Sequence, residues 1–88
     1  MALRISDLPF VNSPPAGPRD FWRVKSSGEY AQDCDLGRNF ADSALALMSL
    51  THKSPLLGLI AAAIAKKGQF GGIETGFFQR VAERAIST

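Results

Sequence analysis

The side chains able to do chemistry are few, and each is judged first by its neighbours. His52 is the only histidine and stands beside Lys53 in a short link between two helical segments. A general base needs a nucleophile or carboxylates within reach, and Ser49, Thr51 and Ser54 are near it in sequence alone, so His52 reads as an exposed loop residue. Cys34 is the only cysteine. A reactive thiolate is stabilised by cations, whereas Cys34 lies between Asp33 and Asp35 on an apolar stripe, which predicts a buried small hydrophobe. Asp33 and Asp35, with Glu29 before them and Asp42 after, have the composition of a hard-metal site but not its shape. Residues two apart on a helix diverge by about 200°, and calcium loops need a curved segment with a glycine. A solvated acidic face is expected, with no metal and no cofactor.

The run KKGQFGGIETG at residues 66–76 has the glycines of a phosphate loop in the wrong order, since its lysines precede them. Glycines ahead of a helix N-terminus can still expose amides to an anion. A C-cap and turn between antiparallel helices would use Gly68 and one other, leaving the rest of Gly71, Gly72 and Gly76 in excess. Phe70, among them, is either a capping contact against the preceding helix or an exposed anchor for a partner. Residues 55–86 also have the order of a helix-turn-helix. A recognition helix offers polar side chains at its start, and here stand Ile73, Glu74, Thr75, Gly76, Phe77 and Phe78. An acid and two phenylalanines suit a core helix, leaving Gln79, Arg80 and Arg84 as the candidate contacts.

These residues must be carried by a small set of elements. Pro9, Pro14, Pro15, Gly17 and Pro18 punctuate residues 1–20, predicting an extended Pro/Gly-rich arm packed on the domain. Residues 21–25 alternate, Phe21, Arg23 and Lys25 against Trp22 and Val24, which predicts a short strand with residues 3–5 as its nearby mate. From Glu29 the period changes to three and four through Tyr30, Cys34, Gly37, Ala41, Leu45 and Met48, predicting a helix over 29–50 capped by Ser27 or Gly28. Arg38 and Asp42 are spaced to pair on its exposed face. Gly37 in its middle costs about 1 kcal/mol relative to Ala, which close packing by another element would explain. Ser54 and Pro55 start a second helix over 55–66 that ends at Lys66, Lys67 and Gly68. Apolar residues ring it, so it is expected to be the central, most buried helix. A third helix spans 73–86, with Ile73, Phe77, Val81 and Ala85 on one stripe. The class is mainly α, α+β at the margin: a three-helix compact domain over 21–88 with the Pro-rich arm and one short β-strand or hairpin.

Eighty-eight residues, 45% of them hydrophobic and 20% charged, exclude a two-domain enzyme and a disordered polyelectrolyte. One thiol closes no intrachain disulfide, which argues for a reducing compartment. Asp7 and Pro9 interrupt any apolar run near the start, so no secretory signal is expected. The apolar stretch at 55–65 would make about 16 Å of helix against a hydrocarbon core of about 30 Å, so no membrane span is expected and the cytoplasm is the natural location. The net charge of +2 conceals opposed regions. Residues 1–28 balance to +2, residues 29–42 to −3 and residues 43–88 to +3. That distribution suits docking on a macromolecule and is thin for nonspecific DNA binding.

The sequence therefore predicts no enzyme but a small interaction protein, monomer or homodimer, that docks on and modulates or inhibits a larger protein or ribonucleoprotein. Phage and mobile-element inhibitors of host defence, anti-CRISPR proteins among them, share this profile. The residues expected to meet the partner are Arg23, Lys25, Lys66, Lys67, Phe70, Arg80, Arg84, Asp33 and Asp35. The alternative is a DNA-binding regulator with a helix-turn-helix-like C-terminal half using Arg80 and Arg84; a small enzyme subunit using His52 or the Asp-x-Asp stands third.

Overall fold

Three helices account for most of the chain: α1 at Tyr30–Thr51, α2 at Pro55–Lys67 and α3 at Gly72–Ile86. They are seen in a computed structural model that describes residues 5–12, 14, 17, 19–52, 55–68 and 70–86. Ahead of them, Ile5–Asp7 forms one turn of 3₁₀-helix. No described helix is long and apolar enough to cross a membrane.

Glycine decides how the helices meet. A Cβ built on Gly37 of α1 would fall inside the Ile73 carbonyl oxygen and 2.7 Å from the Phe77 amide nitrogen. On α3, a Cβ at Gly76 would fall inside the Cys34 carbonyl oxygen and lie 2.8 Å from the Cys34 Cα. A Cβ at Gly72, one turn earlier, would lie 2.8 Å from the Asp33 Cβ. The spacing of packed helices is usually set by side chains at about 8–10 Å between axes; here main chain rests on main chain. The expectation of close packing at Gly37 is met, and two of the surplus glycines, Gly72 and Gly76, find their use on α3 itself.

The α1–α3 pair, not α2, is the centre of the molecule. Four aromatic rings pack beside it: Phe10 and Trp22 from the N-terminal segment, Phe40 from α1 and Phe77 from α3. Ring centroids lie 5.3 Å apart for Phe10–Trp22, 5.1 Å for Phe10–Phe40 and 5.0 Å for Trp22–Phe77. Phe10 and Trp22 are fully buried, so the segment read as an arm and the extended stretch after it each supply one of the largest core side chains. In α2 only Leu56, Ile60 and Ile64, a stripe at i, i+4 and i+8, are buried, while Leu59 is 46% exposed. The expectation of a central α2 is thus corrected. A helix ringed by apolar residues over most of its length can still lie at the edge when the aromatic cluster has already filled the middle.

The predicted short strand is not seen among the described residues. Residues 21–25 run extended without a ladder. The mate is the segment around Phe10: Asn12 and Asp20 form an isolated antiparallel bridge, and the Arg23 amide donates to the Phe10 carbonyl at 2.7 Å. Ile5 belongs to the 3₁₀ turn, and residues 3 and 4 lie outside the described residues.

Local signals at the helix ends hold in most respects. Pro55 opens α2 where its missing N–H costs nothing, and Gly68 follows Lys67 with φ +70°. The predicted Ser54 cap lies outside the described residues. At the N-cap of α1 stands Glu29, whose own side chain caps nothing. Its C-cap is His52, the one non-glycine described residue with positive φ, at φ 55° and ψ 34°. A left-handed residue with a Cβ is strained, so His52→Gly is expected to raise stability by about 0.5–1 kcal/mol in urea denaturation. A loss of stability would show that the imidazole makes a contact worth more than the strain.

Candidate functional site

Two buried carboxylates, from different helices, line one cleft. The cleft, about 350 Å³, lies where the segment before α1 meets the start of α3 and is bounded by Val24, Ser26, Asp33, Phe70 and residues 71–74. Asp33, only 3% exposed, accepts from the Ser26 hydroxyl at 2.5 Å, the Ser27 amide at 2.9 Å and the Ser27 hydroxyl at 2.8 Å. It therefore folds the Ser-Ser-Gly turn onto the first turn of α1. This corrects its assignment to a solvated acidic face and a partner surface. Gly72, lacking a side chain, lets α3 lie over it, and the preceding serines supply the donors that water would have given.

Three donors, the Ser26 hydroxyl foremost and then the Ser27 amide and hydroxyl, hold the Asp33 carboxyl below its ordinary value of 3.8. The folded pKa is the lower one, so this contribution is present above pH 3.8 and disappears as pH falls through the folded value. Below that pH the thermal midpoint of the parent should drop faster than that of Asp33→Asn. Parallel slopes would refute the assignment.

Glu74, 7% exposed, is the second carboxylate. One oxygen accepts from the Trp22 indole N–H at 2.7 Å and the other from the Gly71 amide at 2.7 Å. The second bond is half of a capping box: the residue at the third helical position reaches back to the amide just before the helix. Carboxylates in the first turn also oppose the positive end of the macrodipole. Sequence reasoning placed Glu74 on a core helix without giving it this role. Gly71-x-x-Glu74 was the available signal, weakened by glycine standing where Ser or Thr usually does.

The other predicted site residues separate into three surfaces. Asp35 is exposed and meets Arg38 at 3.2 Å. Arg38 reaches across to Gln79 at 3.1 Å rather than to Asp42, which corrects the expected Arg38–Asp42 pair. Asp42 faces α3, where the glycine contact brings Arg80 to 3.4 Å and Arg84 to 3.9 Å; Arg80 also pairs with Glu83 at 3.3 Å. These two arginines thus lie on an ion-paired α1–α3 seam, where each exposed pair is worth about 0–1 kcal/mol. Phe70 is 64% exposed and stacks on Phe78 with centroids 5.8 Å apart and planes 8° from parallel. The ring is exposed, and its stacking partner belongs to the following helix α3, not to the preceding helix against which a capping contact was the alternative.

The third surface is basic. Lys66 is exposed, and Lys67 bonds to Asp20 at 2.8 Å. The Arg19 guanidinium lies 5.9 Å from the Phe21 ring centroid. Arg23 and Lys25 are exposed on the same extended segment. Partial burial alone would raise the Asp20 carboxyl, but the Lys67 hydrogen bond, the Trp22 amide and the charges of Lys67 and Arg23 together hold it below its ordinary value.

Cys34 is buried, as expected. His52 is exposed, also as expected, beside a shallow groove lined by Leu45, Met48, Ser49 and Leu57. No group of three or more metal-ligating side chains is found among the described residues. The start of α3, where a recognition helix would read bases, has Gly72, Ile73, Glu74, Gly76 and Phe77 buried. Comparison with known proteins returns no matching family model, no matching curated protein and no matching solved structure.

Proposed function

We propose that this chain is a small non-enzymatic interaction protein that docks, in the cytoplasm, on a larger protein or ribonucleoprotein and modulates or inhibits it, as anti-CRISPR proteins and other mobile-element inhibitors do. Phe70 carries this reading. An aromatic ring 64% exposed would ordinarily sample many rotamers, but stacking on Phe78 orders it before any partner arrives. A pre-ordered exposed aromatic loses little entropy on binding and is the side chain type that most often dominates an interface. The opposed charge regions supply orientation in the encounter. Asp33 and Glu74, the carboxylates best placed for acid–base work, are instead engaged with donors that hold the fold together.

Affinity capture with the parent chain and with Phe70→Ala tests it. The parent is expected to retain a discrete complex whose activity falls on addition of the purified chain. Phe70→Ala should lose that complex while its stability stays within about 1 kcal/mol of the parent, since most of the ring is already in water. Retention of the same complex by Phe70→Ala would remove the anchor, and steeply salt-dependent binding to random duplex DNA would replace docking with the regulator reading.

A further inference from the structure

The described surface holds a second cleft, of about 390 Å³, between the extended segment before α1 and the last turns of α2. It is lined by Arg19, Asp20, Phe21, Ala63, Lys66 and Lys67. Three cations against one carboxylate leave it with a net charge of +2. That carboxylate is already engaged: Asp20 accepts from Lys67 and from the Trp22 amide. The floor, Ala63 and Phe21, is apolar, and both residues pack against the core. The rim is cationic and the floor greasy, an arrangement that selects for a ligand carrying an apolar side chain between negative charges.

Building on the docking proposal, we propose that this cleft receives an acidic peptide segment of the partner, an aliphatic side chain resting on Ala63 with flanking carboxylates on Arg19 and Lys66. Charge complementarity identifies the occupant's sign, and the state of Phe21 identifies its class. A single-stranded nucleic acid would stack a base on an open aromatic face. Phe21 packs against the core and also has the Arg19 guanidinium 5.9 Å from its centroid, so a base would have to displace the arginine. Carboxylates instead add to the cations where they stand. In the chain, Lys66 and Lys67 of the cleft precede Phe70 by four and three residues.

Panning a phage-displayed library of random dodecapeptides against the full chain tests this. The enriched sequences are expected to carry two or more Asp or Glu around a Leu, Ile or Val. Synthetic versions should bind at least about tenfold more weakly to the double variant Arg19→Glu, Lys66→Glu, and more weakly in high salt. Both side chains are exposed, so that variant should melt with the parent; the milder Arg19→Gln, Lys66→Gln pair serves if it does not. Enrichment of peptides without acidic residues, no enrichment at all, or equal affinity for parent and folded variant would each overturn the assignment. So would tighter binding of an oligo(dT) strand than of the best peptide, which gives the cleft to nucleic acid. If Phe70→Ala loses the captured partner while Arg19→Glu, Lys66→Glu keeps it, docking stands and the cleft proposal alone fails.

Discussion

Gly76→Ala should destabilise the protein by about 3 kcal/mol or more, lowering the thermal midpoint by about 12 °C or more. Overpacking a core usually costs about 1–3 kcal/mol because neighbouring side chains find other rotamers. Here the neighbour is main chain. The added methyl at Gly76 would meet the Cys34 carbonyl group, and the one at Gly37 the Ile73 carbonyl group. Neither can move without prising α1 from α3 and loosening Ile73 and Phe77, which are buried against the same contact. Gly37→Ala should therefore cost as much. The double substitution should cost less than the two single effects combined, because helices already separated by one methyl admit the second. Gly58→Ala supplies the opposite sign. Nothing lies within 4 Å of a Cβ at Gly58, which is exposed in the interior of α2, so that change should stabilise by about 0.5–1 kcal/mol through helix propensity. Urea denaturation of all four variants reads the result. A Gly76→Ala protein as stable as the parent would mean that the backbone contact does not set the helix spacing.

That contrast also shows what a sequence reveals and what it hides. Helix positions were legible because capping, proline and the three-to-four period are local: Pro55, Lys66–Lys67–Gly68 and the Tyr30–Cys34–Gly37–Ala41 stripe each act within a turn or two. The ranking of helices by burial was not legible, because it depends on who else competes for the middle. Phe10 and Trp22 occupy it, and although the arm was expected to pack on the domain, nothing local to either residue says that its ring will fill the middle beside α1 and α3. Asp33 illustrates the same limit at the candidate site. A carboxylate on a helix surface reads as solvated until two serines from the preceding turn and a glycine from α3 enclose it. The cations of the basic cleft were visible one by one, Lys66 and Lys67 in particular, but their convergence with Arg19 and Phe21 needed the extended segment to run beside α2.

Glu74→Ala should cost about 3 kcal/mol, a large share of the roughly 4–13 kcal/mol that a chain of this length has. The carboxylate joins residues 52 positions apart in the chain, the Trp22 indole and the start of α3. Losing it leaves the indole N–H of a residue only 1% exposed without an acceptor, and a hydrogen bond to a charged group is worth about 1.5–3 kcal/mol. The Gly71 amide loses its cap as well, at about 0.5–2 kcal/mol, reduced because that end is open to water. Glu74→Gln separates the two losses. Its amide oxygen satisfies one donor and its NH₂ confronts the other, so it should fall between parent and Ala, with the indole keeping the oxygen because Gly71 can turn to solvent. The decisive measurement is a double-mutant cycle with Trp22→Phe, which removes the indole donor while keeping an aromatic ring among Phe10, Phe40 and Phe77. A coupling energy of about 1.5–3 kcal/mol is expected between positions 22 and 74. If the two effects simply add, the N-terminal segment is held by ring packing alone, and Glu74 acts only as the cap of α3.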